Sequence, residues 1–485
     1  MNARVTVIRN AAWVVTWDEA DSRHIYRQNA DVAFSSKGIL HIGDHYQGSF
    51  DDEIAGAGVM ALPGFVNVHC HSGDEPIAKG LFEDVGTAAL WGNALYEYSA
   101  LIDADDDAKA ACQVVMLGDL MKSGVTTFLD IASPHSRWLS LARDSGLRAY
   151  LAPGFREAQW KMTDSHRLDY EWDHALGRER YAGALAFLDQ AREDPSGRID
   201  GVMTPSQIET CSEELLLEAV AEARRRGIRI TIHAAQTMAE HEELLRRTGE
   251  TAPAMLERLG ILGADLILGH CIFIDQHSWT RQRSHDDLDR LAHSGTSVAH
   301  CPVTFARSGM TLESLGSYRC AGVNVGIGTD SYPFNMLEEL REAMICSRIA
   351  GRSVHDLNTG TLFEAATTGG ARALGRDDIG RLCQGAKADL VLVDMHHPAM
   401  QPVHDPLRNL IHCAAERAVR DVYVDGSPVV RSGRISNLDY DGAVRELQDA
   451  QTRAVRRAEK SDPQSRSIAE LAPYSLPLSH IQATP

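Results

Sequence analysis

The most informative stretch of the chain is Pro63-Gly64-Phe65-Val66-Asn67-Val68-His69-Cys70-His71. An apolar run typical of a buried β-strand ends here in two histidines that are separated by one residue. Because side chains alternate between the faces of a strand, His69 and His71 point the same way. Neutral imidazole is a common metal ligand. The stretch therefore predicts half of a metal site at the end of a strand.

Downstream of this stretch, short apolar segments alternate with amphipathic helical segments such as Glu213–Arg226. Eight strands are predicted: Phe65–His69, Val125–Asp130, Ala149–Pro153, Gly201–Thr204, Ile228–His233, Leu266–His270, Ser297–His300 and Val323–Gly328. Eight β/α repeats predict an α/β fold built around a (β/α)8 TIM barrel. The active site of such a barrel lies at the carboxyl ends of its strands.

The two ends of the chain have a different pattern. Residues 1–61 and 380–436 both alternate apolar and polar residues between Gly and Asp turns, as β-strands do. Neither segment alone has enough strands to bury a core. We therefore predict a small composite β-sandwich formed by both segments, next to a barrel of residues 62–379. Residues 437–485 are predicted to form a C-terminal helix and a tail.

The composition is that of an ordinary globular enzyme, with 44% apolar and 24% charged residues among 485. The formal charge of −19 disfavours nucleic acid and anionic membranes as partners. Nine cysteines without regular spacing do not indicate a disulfide framework. We find neither the pattern of a signal peptide nor an uncharged apolar run long enough to span a membrane. These features predict a cytoplasmic protein with reduced thiols.

Further polar candidates stand at the ends of the later predicted strands: His233 and Gln236, His270, His300, and Asp330. A single histidine on an apolar strand is usually a core residue. Several neighbouring strands that each end in His or Asp indicate a metal site instead. Cys70, Cys271 and Cys301 each lie beside one of these histidines and are predicted to be small core residues. For His300, support of the site from behind and a place in the core remain open.

With these motifs the chain resembles the amidohydrolase superfamily, and most of all its cytosine deaminase, guanine deaminase and triazine chlorohydrolase branch. The resemblance extends to about residue 435. It rests on the stretch before the histidine pair and on four further motifs: His270-Cys271, His300-Cys301-Pro302, Gly328-Thr329-Asp330 and Gly385-Ala386-Lys387-Ala388-Asp389-Leu390.

The resemblance implies a site for one divalent metal ion, with the ligands His69, His71, His233 and Asp330. Zn²⁺ is favoured and Fe²⁺ is the main competitor, because these ligands suit both ions. A divalent ion would lower the pKa of its water to roughly 7–9. Asp330 is implied to take the proton of that water. His270 is implied to orient the water or to polarise the group under attack.

The chain departs from this pattern at Gln236, where related deaminases carry a proton-shuttling glutamate. A glutamine amide forms hydrogen bonds but does not titrate near neutrality. One interpretation is that another acid, such as Glu240 or Glu209, has taken the role. The other is that the leaving group, for example chloride or nitrite, needs no proton. Gln236 is a catalytic candidate under either interpretation.

Loops after the barrel strands supply the candidate substrate contacts. These are Lys79, Glu83, Trp91, Asn93, Arg156, Gln159, Gln207 and Phe305. Gln207 lies in a segment that lacks the histidine with which relatives contact their substrates. Phe305 replaces an amide of the relatives, and its ring either stacks on a planar heterocycle or packs in the core.

Together these observations predict a metal-dependent hydrolase that attacks an electrophilic carbon of a small nitrogen heterocycle or an amidine-like compound. Hydrolysis of a C–N bond, as in deamination, is the first interpretation. Displacement of chloride or nitrite from a heteroaromatic ring, opening of a cyclic amide, and a barrel that binds a ligand without turnover are the alternatives. The expected partners are a small-molecule substrate and, by resemblance, further copies of the chain, with no nucleic acid and no membrane.

Overall fold

The structure, a computed structural model, describes residues 3–83, 85–87, 90–92, 94–98, 103–164, 167–462 and 465–478. It confirms a mixed α/β fold with parallel and antiparallel sheets. The first strands along the described chain are β1 (Val5–Ala11), β2 (Trp13–Asp18), β3 (Arg23–Arg27), β4 (Ala30–Ser35), β5 (Gly38–Gly43), β6 (Asp52–Ala55) and β7 (Val59–Pro63).

The middle of the chain contributes β8 (Phe65–Cys70), β9 (Val125–Ala132), β10 (Arg148–Phe155), β11 (Ala158–Asp164), β12 (Arg167–Trp172), β13 (Ile199–Gly201), β14 (Thr204–Pro205), β15 (Ile230–Ala234), β16 (Leu266–His270), β17 (Ser297–His300) and β18 (Asn324–Ile327). The last strands are β19 (Leu390–Asp394), β20 (Val419–Val424), β21 (Ser427–Arg431) and β22 (Arg434–Ile435).

The helices within the described ranges are α1 (Leu95–Tyr98), α2 (Asp106–Lys122), α3 (Trp138–Ser145), α4 (His174–Arg192), α5 (Glu213–Arg226), α6 (Met238–Thr248), α7 (Ala252–Arg258), α8 (Asp287–Ser294), α9 (Pro302–Ala306), α10 (Leu315–Cys320), α11 (Met336–Ala350), α12 (Thr359–Glu364), α13 (Gly370–Ala373), α14 (Pro406–Asn409), α15 (Tyr440–Ser461) and α16 (Ile468–Leu471). None of these helices combines the length and the apolar character needed to cross a membrane.

Helix α5 shows how local sequence sets these boundaries. The Ser212 hydroxyl accepts a hydrogen bond from the Leu215 N–H and so caps the first turn. Gly227 ends the helix with a φ of +69°, a left-handed conformation that glycine adopts without strain. Leu216 and Val220 are among the residues that face the core from this helix.

Two parallel sheets carry the carboxyl-terminal strand ends that were predicted to hold the site. One has the order β13-β10-β9-β8, with β14 also paired to β10, and the other has the order β15-β16-β17-β18. The sheets meet at two seams, through the bridges Met203–Ile230 and Cys70–Asp330. At the second seam the Asp330 N–H donates to the His69 carbonyl at 2.9 Å. The ends of β8 and β18 are therefore held side by side.

The predicted strand Gly201–Thr204 is interrupted in the structure. Its backbone changes partner here, because the Val202 N–H donates to Leu151 of β10 while the Met203 N–H donates to Arg229, just before β15. The hairpin of β11 and β12 was not predicted. It follows the third parallel strand and lies beside the functional cavity described below.

The two ends of the chain share one sheet. Strand β7 pairs with β19, so that Leu62 lies opposite Val391. This pairing builds the seven-stranded sheet β22-β21-β20-β19-β7-β2-β3, and the remaining early strands form a second sheet, β5-β4-β1-β6. A separate apolar cluster that includes Ile8, Phe34 and Leu392 draws residues from both sheets.

A buried ion pair ties the first group of parallel strands to the seven-stranded sheet. The Arg148 side chain, at the start of β10, is 2% exposed. Its Nε and Nη2 atoms donate to the two carboxylate oxygens of Asp389, at 2.6 and 3.0 Å, and Nη2 also contacts Asp425. Two parallel N–H···O bonds of this kind fix orientation as well as distance.

Candidate metal centre and cavity

Four polar side chains meet where β8, β15 and β18 end. Ligand-type atoms of His69, His71, His233 and Asp330 all lie within 4.8 Å of one another. The Asp330 Oδ1 atom is 3.3 Å from Nε2 of both His69 and His71. These are the four residues that the family resemblance implied as ligands.

The hydrogen bonds of His71 and His233 define which ring nitrogens face the cluster. The Nδ1 atom of His71 donates to the Ile131 carbonyl at 2.7 Å, and that of His233 donates to the Ser206 carbonyl at 2.6 Å. In a neutral imidazole with its proton on Nδ1, Nε2 carries a lone pair. The two Nε2 atoms lie 3.2 Å apart. Such a pair of acceptors suits a cation between them, and backbone carbonyls orient metal-binding histidines in this way.

Orphaned buried nitrogens support the same conclusion. Neither ring nitrogen of His69 or of His270 has a hydrogen-bond partner within the described part of the chain. Buried polar atoms are rarely left unpaired in proteins. The residues present therefore fit a divalent metal ion, which would use the free nitrogen of His69.

Two glycines leave room for His69. A Cβ atom on Gly269 would lie 2.8 Å from Cε1 of His69, and one on Gly328 would lie 2.7 Å from its Cβ. Both distances are shorter than normal contacts, so any side chain there would displace the imidazole. Close packing against His69 therefore explains the glycines at positions 269 and 328.

The charges of the cluster follow from burial and from Asp330. Burial lowers the pKa of His233 and of His270 well below the usual value, so both imidazoles are neutral. Burial would raise the pKa of Asp330, but His270, His69 and His71 hold it well below its usual range. Burial opposes protonation of His71, yet contact with Asp330 raises its pKa to about 9. A proton and a metal ion thus compete for His71.

His270 lies beside the four ligand-type residues, with Nε2 3.8 Å from Asp330 Oδ1. Its ring centroid is 4.6 Å from that of Phe305. Both His270 and Asp330 have positive φ angles, +72° and +56°. Non-glycine residues seldom adopt this conformation, and such strain clusters at functional sites.

Two polar residues behind the cluster were not predicted. Asp130 accepts hydrogen bonds from the Ser72 N–H and hydroxyl and from the Trp138 indole, at 2.9, 2.6 and 2.7 Å. Asn67 accepts the His69 N–H at 3.1 Å and donates to the Thr329 hydroxyl at 2.8 Å. Both residues fix the backbone next to a ligand-type residue. Asp130 was visible as a polar side chain near the end of a predicted strand.

A cavity of about 580 Å³ opens over the cluster. The predicted site residues that line it are His71, His233, Asp330, Gln236, Glu83, Arg156, Gln159, Gln207 and Phe305. Phe305 thus both packs on His270 and faces the cavity. Residues that line the cavity without having been predicted include Glu75, Trp160, Thr304, Arg307, Ser331 and Tyr332.

The structure does not bring every predicted contact to this cavity. The Lys79 ammonium pairs with Asp119 at 3.0 Å instead of turning inward. Trp91 packs against the main apolar core. Neither is among the described residues that line the cavity. Asn93 lies outside the described residues.

The two acids that were considered as substitutes for a glutamate at position 236 are engaged elsewhere. The Glu240 carboxylate accepts the N–H groups of Ala235 and Gln236 at 2.5 and 2.8 Å. Glu209 accepts the Trp160 indole N–H at 3.0 Å and lies behind that ring. Neither carboxylate is among the described cavity-lining groups, and the structure therefore argues against this part of the prediction.

Arg307 contacts several residues of the cavity wall that follows β17. Its Nη2 donates to the Ser331 hydroxyl at 3.0 Å, and its guanidinium lies over the Tyr332 ring, 4.3 Å from the centroid. Nη1 is 3.6 Å from Glu83. In the sequence, this wall could have been found from the polar residues that closely follow His300 and Asp330.

Arg156 also lines the cavity. Its guanidinium lies 5.4 Å from the Trp160 ring centroid. Within the described part of the chain it has no ion-pair or hydrogen-bond partner. Glu209 and Asp74 act on Arg156 only without direct contact, so the half-buried guanidinium is available to a bound molecule.

The cysteine prediction is confirmed, since Cys70, Cys271 and Cys301 are all buried and not disulfide-bonded. His300 is 4% exposed, and burial lowers its pKa to about 3. It is not one of the four clustered ligand-type residues among those described.

Comparison with known proteins agrees with this geometry. The family model described as "Amidohydrolase family" matches residues 60–429. A 5-methylthioadenosine/S-adenosylhomocysteine deaminase from Pelotomaculum thermopropionicum is 27% identical, over 93% of this chain and 99% of that protein.

Two crystal structures share the fold. One is an adenosine deaminase from Xanthomonas campestris with bound zinc, with a TM-score of 0.77 and 23% identity over 93% of this chain and 98% of that one. The other is the atrazine chlorohydrolase of Arthrobacter aurescens TC1 complexed with zinc, with a TM-score of 0.77 and 22% identity over 92% and 100%. The chain belongs to the amidohydrolase family.

Proposed function

We propose that the protein removes an exocyclic amino group from a small nitrogen heterocycle by hydrolysis and releases ammonia. The observation that carries this proposal is the cluster of His69, His71, His233 and Asp330 at a cavity, with His270 beside it. A relative that is named a deaminase and matches along almost its whole length supports the reaction.

We further propose that the four clustered residues hold one divalent ion, most suitably zinc. Three neutral imidazoles and one carboxylate form a donor set that zinc accepts, and Fe²⁺ is the competitor with similar ligand preferences. The zinc in the two crystal structures of the same fold supports the choice. Bound there, the ion would supply hydroxide near neutral pH, because it lowers the pKa of water.

The protein's own residues would then divide the work. Asp330 accepts the proton of the attacking water, whose oxygen forms a bond to the ring carbon. His270, kept neutral by burial, donates or accepts a hydrogen bond that orients the water or polarises the attacked bond. The Gln236 amide hydrogen-bonds the ring. The carbon–nitrogen bond breaks with its electron pair on nitrogen, and the nitrogen gains the proton that the water lost, so that ammonia leaves.

The cavity volume of about 580 Å³ suits a molecule of nucleoside size. The substrates named for the deaminase relative support an adenine nucleoside or a similar compound. Arg156 favours substrates that carry an anionic group, because its guanidinium lacks a partner in the described chain. Glu83, Gln159, Gln207 and Phe305 are the further proposed contacts.

A second candidate reaction is the displacement of chloride or nitrite from a heteroaromatic ring. The observation in its favour is Gln236, whose amide does not shuttle protons, since these anions leave without being protonated. The shared fold of an atrazine chlorohydrolase is compatible with it.

We also propose that the two parallel sheets close into one (β/α)8 barrel of residues 62–379. Residues 1–61 and 380–436 would form the composite sandwich, and residues 437–485 the C-terminal helix and tail. The two seams and the pairing of β7 with β19 support these divisions. We place the protein in the cytoplasm as a homo-oligomer without nucleic-acid or membrane partners, in line with its charge of −19.

The test is product analysis with matched substrates. Zinc-loaded protein is incubated with adenosine and 6-chloropurine riboside, and with an amino- and a chloro-substituted triazine. Ammonia release from the amino compounds supports the proposal. Chloride release alone supports the second candidate. If the metal is bound and neither product nor a ring-opened acid forms across the panel, catalysis of this kind is ruled out.

A further inference from the structure

We propose that Glu75 is the carboxylic acid that delivers the proton to the departing amine, a task that the amide of Gln236 does not perform. This inference rests on the proposed deamination and adds a catalytic residue to it.

The position of Glu75 is the first support. It is the first residue of the 3₁₀ turn Glu75–Ala78, which follows His71 closely along the chain. Its side chain lines the same cavity as His71, Gln236 and Asp330. A heterocycle that binds in this cavity against the metal-site residues is therefore also exposed to Glu75.

The turn that carries Glu75 is held firmly. Ile77 is fully buried, and its N–H donates to the Asp74 carbonyl at 3.1 Å. The Gln451 amide of helix α15 donates to the carbonyls of Ile77 and Lys79 at 2.7 and 2.9 Å. A catalytic acid needs a firmly held backbone of this kind, because proton transfer depends on hydrogen-bond geometry.

Glu75 also differs from the other acids of the cavity. Glu83 is 40% exposed and faces Arg307. Asp74 and Asp103 are exposed. The half-buried Glu75 carboxylate forms no hydrogen bond or ion pair within the described part of the chain. Apart from Asp330, it is thus the cavity carboxylate most sheltered from solvent and still free to act.

The surroundings of Glu75 suit a proton donor near neutrality. Burial raises its pKa to about 7, and the carboxylates of Asp74 and Asp330 act in the same direction. His71 and Arg307 oppose this rise. A pKa raised in this direction favours the acid form of the side chain, which a proton donor needs at the start of each turnover.

The step balances as follows. Water oxygen bonds to the ring carbon, and one water proton passes to Asp330. The Glu75 carboxylic acid gives its proton to the amino nitrogen, the carbon–nitrogen bond breaks with its electron pair on nitrogen, and ammonia leaves. The proton held by Asp330 then restores the acid form of Glu75.

The decisive variant is Glu75→Gln, compared with wild type on an amino substrate and its chloro analogue. For a purine substrate the matched pair is adenosine and 6-chloropurine riboside. For a triazine substrate it is an amino-triazine and the corresponding chloro-triazine. We expect ammonia release to fall by roughly 100-fold or more, and chloride release to change by less than about tenfold, since chloride needs no proton. Zinc content should stay at the wild-type level.

Asp74→Asn is the matched control, because it removes a neighbouring exposed carboxylate from the same turn. It should keep the maximal rate of ammonia release and move the pH profile to lower pH, since the pKa of Glu75 falls. In the double variant Glu75→Gln with Gln236→Glu, a carboxylate returns to the cavity, and ammonia release should recover at least in part.

A spectroscopic readout is independent of turnover. The infrared difference spectrum between metal-free wild type and the metal-free Glu75→Gln variant should contain a carboxyl band that titrates near pH 7. If Glu75→Gln keeps ammonia release within about twofold, or loses ammonia and chloride release equally, the inference is wrong. A wild-type protein that releases no ammonia from any amino substrate overturns the proposed function instead.

Discussion

The imidazole rings of His71 and His233 are stacked at 12° with their Nε2 atoms 3.2 Å apart. Each ring is held by a hydrogen bond from Nδ1 to a backbone carbonyl, so both Nε2 atoms face the cluster, where either a proton or a metal ion can bind. This arrangement is unfavourable without a positive charge between the rings. The carbonyls of Ile131 and Ser206 thus orient both rings toward a cation before the cation binds.

The first prediction concerns metal content. Elemental analysis of zinc-loaded wild type should find about one ion per chain, as expected for a single tetrahedral site. His233→Ala should lose the metal and the activity together. His300→Ala is the control: it removes another buried histidine but should keep the metal. A fully active preparation without metal would overturn the proposed role of the cluster.

The second prediction concerns His270, which is proposed to act without binding the metal. His270→Asn should keep the metal and lower turnover by roughly 100-fold or more, the scale of a lost acid–base group. Metal content and kcat are measured on the same sample. Loss of the metal would make His270 a ligand, and unchanged kcat would make it structural.

The third prediction concerns Gln236. Gln236→Glu places a carboxylate near the cation, which favours its charged form. We expect the ratio of ammonia to chloride release from matched analogues to rise, and, where chloride displacement is the native reaction, turnover of the native substrate to fall. Higher turnover of the native substrate with an unchanged ratio would show that Gln236 is merely tolerated at this position.

The fourth prediction concerns Arg156. Arg156→Met should raise KM roughly tenfold or more for a substrate with an anionic group, because a hydrogen bond to a charged group is lost. The KM of a neutral analogue, for example adenosine against adenosine 5′-monophosphate, should change little. Equal effects on both compounds would argue that Arg156 serves only to pack against Trp160.

The fifth prediction concerns stability. Arg148→Met leaves the buried Asp389 carboxylate without its counter-ion and should lower the free energy of unfolding by about 3–5 kcal/mol. Chemical denaturation measures this change. Arg4→Met is the control: it breaks an exposed ion pair with Asp52 and should leave the midpoint of chemical denaturation unchanged. Similar midpoints for the two variants would contradict the importance of the buried pair.

Much of the fold was predictable because strand ends carry distinctive residues. The His69-x-His71 pair, His233, His270 and Asp330 mark four strands that the structure indeed brings together. The break between β13 and β14 was not predictable in the same way. It depends on Val202 and Met203 bonding to different neighbouring strands, which local sequence does not encode.

The cavity wall was harder to predict than the metal-site cluster. Lys79 and Glu83 stand close together in one charged loop, yet Lys79 turns to Asp119 while Glu83 faces Arg307. Composition alone does not distinguish these two orientations. Glu75 was missed for a similar reason, since only its place in the folded turn separates it from the exposed Asp74.

The pairing of β7 with β19 has a consequence for synthesis on the ribosome. Val391 follows its partner Leu62 by 329 residues, the difference between the two positions. At about 5–20 residues per second, roughly 15–70 s pass before the partner strand emerges. During that interval β7 has an unsatisfied edge that is open to wrong partners. The nascent chain is therefore most exposed to aggregation at its beginning, and a chaperone that shields the first 60 or so residues should raise the yield of folded protein.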